Sequence, residues 1–416
     1  MQATESLFSP GAGCGADGTV DSTADSTADS TAEGTAGCSA ACGANCGVAC
    51  TDCLLSWLRL AMMPGLPRHA AAQLVRAHGT APAVIAAARA QRLAGVGVAL
   101  PTAAIAAPFA PRARAVAEAT LHWASQPGNR LLTLNDAAYP PQLKEIADPP
   151  VLLHAQGDLA LLQGNRAGRA IGIVGSRRAT QQGMANAGNF ARALSEAGFT
   201  IVSGLALGID AAAHQGGLAG MGSTVAVVGT GIDVVYPPSN AALDARIRQA
   251  GCVLSEFALG TPARKQNFPI RNRIISGLSR GVLVVEAAEQ SGSLITARLA
   301  NEQGRDVFAI PGSIHASLAK GCHRLIRDGA RLVETANDIL EAFGMEAVRG
   351  TETLLDELTR AADVLLTALT YDPVPADELA ARLKLDPADT QASLLALELA
   401  GVVERLPGGV FQRLKR

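Results

Sequence analysis

Between about residue 168 and residue 334 the chain repeats one unit: a short apolar β-branched run, a glycine-rich break, then a stretch of helical periodicity. The runs fall at 170–174, 200–203, 224–228, 252–255, 282–285 and 307–310, with helical stretches such as 183–196 and 209–218 between them. A run this short is apolar at every position when both its faces are buried, as in a parallel sheet covered on each side by helices. The alternation predicts an α/β fold with a Rossmann-like parallel sheet. Crossover helices bring the carboxyl ends of all its strands to one edge, where such sheets hold ligands.

The breaks at those strand ends are polar and rich in glycine. They read Gly175-Ser176-Arg177-Arg178, then Ser203-Gly204 through Gly208-Ile209-Asp210, then Gly229-Thr230-Gly231-Ile232-Asp233, then Ser291-Gly292-Ser293-Leu294-Ile295-Thr296, and Pro311-Gly312-Ser313. Amides and hydroxyls exposed at helix N-termini hold anions, phosphate above all. One glycine turn is a steric necessity, but a series along one edge points to a ligand. No GxxxxGK[ST] motif occurs and no GxGxxG opens the first strand–helix turn. These absences argue against an ATP-driven motor of that class and against a dinucleotide dehydrogenase.

Charge sharpens the reading. The chain has 35 basic and 37 acidic side chains, a net charge of −2, which excludes a uniformly basic packaging protein. The balance is uneven: residues 166–333 hold 18 basic and 10 acidic groups, and residues 352–416 hold 7 and 11. Within the basic part, Arg264-Lys265-Gln266-Asn267-Phe268-Pro269-Ile270-Arg271-Asn272-Arg273 sets four cations around one aromatic ring. Cations for phosphate oxygens beside a ring for a base is the chemistry of single-strand binding. The competing view makes Phe268 core and pairs the arginines with carboxylates; no acidic residue between Phe257 and Val285 supports it.

Catalytic groups are sparse. His214 follows Asp210 by one helical turn, and Cys322 and His323 are neighbours that point about 100° apart in a helix and do not face each other. Glu286 and Glu289 lack an obvious catalytic partner, and Glu286 is expected to pair with an arginine. The reading is a binder rather than an enzyme, with no catalytic residue, metal or cofactor.

The flanks differ in composition. Residues 1–50 contain Asp21-Ser22-Thr23-Ala24, which recurs from Asp25 and Asp29, and are expected to be a disordered tail. Cys38, Cys42, Cys46, Cys50 and Cys53 could line one helical face, but no CxxC pair occurs until Cys50 and Cys53, and they read as reduced thiols. No basic and apolar leader opens the chain, and Pro101, Pro108 and Pro111 interrupt its longest uncharged stretch, so no membrane contact and a cytoplasmic address are expected. Residues 51–125 read as a small helical domain whose Pro64-Gly65-Leu66-Pro67 turn resembles a helix-hairpin-helix. Pro67 has no N–H, so that turn is not expected to hold phosphate. The core spans 126–345. From 352 to 416, helices at 364–369, 376–383 and 389–399 precede two short strands around Pro407-Gly408-Gly409, the pattern of a winged helix. Its segment 389–400 carries no Lys or Arg, so it is expected to meet protein, or another copy of itself, rather than duplex DNA. Tight duplex binding by 352–416 at physiological salt would overturn that expectation.

Together these residues resemble the DNA-processing protein A family (DprA, also called Smf). The resemblance runs from about Leu54 to the C-terminus. It is carried by Gly175-Ser176-Arg177, by Val202-Ser203-Gly204 through Gly208-Ile209-Asp210 to His214, and by Gly229-Thr230-Gly231 with Tyr236-Pro237. It continues in Asn267-Phe268-Pro269, Arg271 through Ser279, Val285-Glu286-Ala287, Ser291 through Ala297, Ile310-Pro311-Gly312-Ser313 and Gly321-Cys322-His323. The resemblance implies a Rossmann-like core between an N-terminal SAM-like helical domain and a C-terminal winged helix. It also implies a homodimer that binds single-stranded DNA cooperatively, protects it during natural transformation, and loads RecA past single-strand-binding protein. The family's strand contacts map to Ser176, Arg177, Lys265 and Phe268, with Arg271, Asn272 and Arg273 close by. Adding the polar strand ends, the expected single-strand site is Gly175, Ser176, Arg177, Ser203, Gly204, Lys265, Asn267, Phe268, Arg271, Asn272, Arg273, Ser291, Ser293 and Thr296. The alternative is a nucleotide-processing enzyme of the phosphoribohydrolase type, whose Pro-Gly-Gly-x-Gly-Thr run is broken here at Pro311-Gly312-Ser313. A transcription factor acting through the winged helix is disfavoured by that segment's charge.

Overall fold

The computed structural model describes residues 51–345 and 364–414, apart from positions 94, 96, 98, 99, 370, 371, 400 and 407. The expected tail at 1–50, with Cys38, Cys42, Cys46 and Cys50, lies outside the described residues, as does 346–363.

Among the described residues five helices come first: α1 (Thr51–Ala61), α2 (Arg68–His78), α3 (Ala81–Arg89), α4 (Thr102–Ala106) and α5 (Pro111–Ala124). Gly79, at φ +87°, ends α2, and the Thr80 side chain caps α3 by accepting from Ala83 N. Arg59 is buried and donates to Ile105 O at 2.6 Å and Ala104 O at 3.2 Å, which fastens α4 to α1.

There follow β1 (Asn129–Thr133), α6 (Pro141–Glu145), β2 (Leu152–Gly157), β3 (Ala170–Val174), α7 (Gln181–Glu196), β4 (Thr200–Ser203), α8 (Ile209–Gly217), β5 (Thr224–Val227) and α9 (Ala241–Ala250). The series closes with β6 (Cys252–Ser255), α10 (Asn267–Leu278), β7 (Gly281–Val284), α11 (Gly292–Glu302), β8 (Asp306–Ala309), α12 (Lys320–Arg327), β9 (Arg331–Leu332) and α13 (Ala336–Ala342). The nine-stranded sheet has the order β1-β2-β6-β5-β4-β3-β7-β8-β9. From β3 to β9 all pairings are parallel. The sheet is not wholly parallel, however: β1 and β2 form an antiparallel pair, and β2 joins β6 antiparallel. The chain winds outward from β3 to β6, then crosses back to lay β7 beside β3. That reversal opens a crevice beyond the carboxyl ends of β3 and β7, the place where doubly wound sheets take ligands.

Alternate strand residues serve opposite faces. Ile171, Ile173, Ile201 and Leu283 pack with Ala187, Ala191 and Leu194 of α7 and with Phe343. Val202, Val225, Val227, Val282 and Val284 pack with Ile274, Ile275 and Leu278 of α10, in a cluster that continues into Leu58, Leu74 and Val84 of the leading helices. Gly172 lets α10 come close, since a Cβ there would lie 3.4 Å from Ile275 Cγ2 and 3.2 Å from Ser279 Oγ just past its end.

The C-terminal segment forms its own small core from Leu365, Leu379, Leu394, Leu397, Val403 and Phe411. Its helices Ala376–Leu383 and Pro387–Leu399 accompany a three-stranded antiparallel sheet of Val374–Pro375, Val403–Leu406 and Val410–Arg413. No described helix is long and apolar enough to cross a membrane.

Candidate nucleic-acid interface

The turn after β3 is shaped by close backbone approach. A Cβ on Gly208, which sits at φ +75°, would lie 2.4 Å from Ser176 O, and Ile209 N donates to that same oxygen at 3.2 Å. Ser176 Oγ accepts from Arg178 N at 3.1 Å, so the turn is closed locally and Arg177 and Arg178 are left exposed. The Arg177 guanidinium lies 5.1 Å from the centroid of the Phe268 ring.

Phe268 belongs to the first turn of α10, where Pro269 is tolerated because no intrahelical N–H is needed. The ring is half-buried against Gly229, where a Cβ would come within 3.0 Å of Phe268 Cδ1. Asn267 is buried beside it and donates from Nδ2 to Gly229 O at 3.0 Å, stapling the helix to the loop after β5. Lys265 is exposed in the turn just ahead. The fold therefore gathers Gly175, Ser176, Arg177, Lys265, Asn267 and Phe268 at the carboxyl edge. Asn272 is half-buried and reaches Gly292 O at 3.5 Å, at the start of α11. Ser291 caps that helix by accepting from Ser293 N at 3.3 Å, and the two serine hydroxyls bond at 2.7 Å.

Other residues of the expected site turn inward. Ser203 is fully buried and donates to Ile173 O at 2.6 Å. Arg271 is buried beneath Gly204, with Nη1 donating to Val227 O and no room for a Cβ on that glycine. Arg273 is buried in ion pairs with Asp148 at 2.8 Å and Glu256 at 2.6 Å. Ser293 and Thr296 are buried as well. The physical reason is that 267–278 is a helix sunk onto the sheet rather than an open basic loop. Glu286 pairs with no arginine at hydrogen-bond distance; it accepts from Thr180 N at 3.0 Å and Thr180 Oγ1 at 2.5 Å.

That last contact changes the anion reading of the loops. Glu286 places the protein's own carboxylate at the N-terminus of α7. Asp210 does the same for the loop after β4, accepting from Gly204 N at 3.1 Å and Ala206 N at 3.4 Å. What the edge presents is the exposed cations of Arg177 and Lys265 and the half-buried ring of Phe268.

Burial sets the electrostatics beneath. It lowers the Arg271 pKa to about 10 despite the opposing pull of Asp210, and it raises that of the Asp210 carboxyl. His214 lies between Leu205 N at 3.2 Å and Thr224 Oγ1 at 2.7 Å. Since Thr224 gives its own proton to Ile201 O, His214 donates from Nδ1 and accepts at Nε2, the neutral tautomer. Burial pushes its pKa down to about 3. Between the ordinary value of 6.5 and about 3, the unfolded chain binds a proton that the folded chain refuses, so stability falls as pH drops through that window. Thermal unfolding followed against pH should show this fall, and a His214→Gln variant should show a shallower one.

Burial likewise pushes the Cys322 thiol up to about 11, with Sγ near Val284 O, while His323 Nε2 bonds Gly312 O at 2.9 Å. The two side chains do not form a dyad. Among the described residues no group of His, Cys, Asp or Glu is placed to hold a metal ion. Tyr236, named above for the family motif but left out of the expected site, has its ring 5.8 Å from that of Phe268; an aromatic amid the turn residues after β5 was the signal.

Known proteins resemble this chain over much of its length. A family model described as DNA recombination-mediator protein A matches residues 130–344, and one described as DprA winged helix domain matches 350–409. Protein Smf of Escherichia coli is 41% identical over 308 residues, which cover 72% of this chain and 81% of that protein. DNA processing protein DprA of Streptococcus pneumoniae is 50% identical over 208 residues, covering 50% of this chain and 72% of the relative. The X-ray structure of DNA processing protein A from Streptococcus pneumoniae aligns with a TM-score of 0.56 at 37% identity, covering 69% of this chain and 97% of that one. With the doubly wound sheet, the cation–aromatic edge and the winged helix in place, the chain belongs to the DNA recombination-mediator protein A family.

Proposed function

We propose that this protein binds single-stranded DNA without sequence preference along the carboxyl edge of its sheet, protects it, and loads RecA onto it past single-strand-binding protein, in the cytoplasm and as a homodimer. The observation that carries this reading is the Arg177 guanidinium of the turn after β3 poised over Phe268, whose ring packs on the loop after β5. A cation and a ring at one point serve a phosphate and a base at once, and neither reads a base edge.

The test is a titration of the full chain with a mixed-sequence single strand and with its duplex, at two salt concentrations and without nucleotide. Strong preference for the single strand with steep salt dependence is expected; equal or negligible binding to both would overturn the reading. Arg177→Ala should flatten the slope of log K against log salt by about 0.7, the contribution of one phosphate contact on a single strand.

Self-association finds support at the other end of the sheet. There, among the described residues, β9 pairs with β8 only, and Leu332 on it is 46% exposed. An open edge with an exposed apolar side chain invites pairing with a second copy. Leu332→Asp should shift the protein toward monomer in light scattering, and an unchanged mass would remove this edge from the interface.

A further inference from the structure

Tyr236 stands on the same edge with 42% of its surface exposed and its ring tilted 37° from Phe268. The segment that carries it is braced throughout. Thr230 Oγ1 donates to Val234 O at 2.7 Å, Val234 N to Gly231 O at 2.9 Å, and Asn240 N to Pro237 O at 3.0 Å. Outside the segment, Gly260 N donates to the Asp233 carboxylate at 2.9 Å and Arg248 Nη2 to Ile232 O at 2.8 Å. An aromatic on so fixed a loop loses little conformational entropy when a planar group stacks on it. Phe268, by contrast, has Gly229 against it and the Arg177 guanidinium over it.

We propose that Tyr236 is a second stacking platform, so that two neighbouring bases of one strand are taken, one on each ring. The inference rests on the single-strand reading given above and extends it. The centroids are 5.8 Å apart. Stacked bases in a duplex rise by only about 3.4 Å. Two bases can reach both rings only after they unstack from each other, which a single strand does readily and a duplex does not. The pair of rings thus selects for unstacked strands by spacing alone, with no hydrogen bond to a base.

The experiment compares wild type, Tyr236→Ala, Tyr236→Phe and Phe268→Ala on a fluorescent single strand and on a strand of equal length with abasic sites. Tyr236→Ala should weaken binding to the normal strand roughly 5- to 150-fold with an unchanged salt slope. Tyr236→Phe should bind like wild type, and on the abasic strand wild type and Tyr236→Ala should bind alike. Should Tyr236→Ala fail to fold, photocrosslinking of wild type to a bromodeoxyuridine strand decides: an adduct on Tyr236 supports the platform, and adducts confined to other residues overturn it. Wild-type affinity in Tyr236→Ala, with Phe268→Ala impaired, overturns this inference alone. No binding by wild type overturns the single-strand reading itself.

Discussion

Replacing Arg273 with alanine is expected to lower the unfolding free energy by about 3–5 kcal/mol, measured by denaturant titration. The side chain is 5% exposed and ties together three separate parts of the chain. Its Nε donates to Asp148 ahead of β2, its Nη atoms grip Glu256 in a two-pronged pair after β6, and Glu256 is also met by Arg68 of the leading helices at 3.4 Å. Without the guanidinium, Glu256 stays 12% exposed with only Arg68 near it. A carboxylate left uncompensated in low dielectric, more than the loss of an attraction, produces the penalty. Arg273→Lys should recover part of the loss, because one ammonium cannot reproduce the fork. A change below about 1 kcal/mol for Arg273→Ala would mean that the cluster behaves like a solvated surface pair.

Replacing Phe268 with alanine is expected to weaken single-strand binding by about 1–3 kcal/mol and to leave the salt slope where it was. The half-buried ring packs on Gly229 under the exposed Arg177 guanidinium, and Asn267 and the rest of α10 anchor the helix without it. The protein should therefore fold with little change in stability. Unfolding of this variant would instead place Phe268 in the core and remove it from the interface. The contrast with Arg177→Ala, which should alter the salt slope, separates stacking from charge within a single pair of touching side chains.

The inner strands were readable because burial on both faces leaves an unbroken apolar run, as at 170–174 and 252–255. The pair β1 and β2 was not, since Arg130 and His154 interrupt the apolar signal and antiparallel partners lie far apart in sequence. That Arg177, Lys265 and Phe268 stand together at one edge was legible from composition. The fate of Arg271 and Arg273 was not, because Pro269 and four cations disguise the start of a buried helix. The carboxylates that claim Arg273 also fall outside the acid-free window that suggested a free cation: Glu256 lies one residue before it and Asp148 far upstream. Glu286 misled in the same way, since nothing in its neighbourhood in sequence announces Thr180.

Glu286 and Asp210 occupy the amide sites that a free nucleotide would seek on such a sheet. A mononucleotide offers one base and one compact cluster of charge, and here its charge meets carboxylates already seated. The cell's pool of ATP and its relatives should then be a poor competitor for this edge, and occupancy by a strand should not track the energy state of the cell. On the strand-binding reading proposed above, millimolar ATP should leave a preformed complex intact once ionic strength is matched.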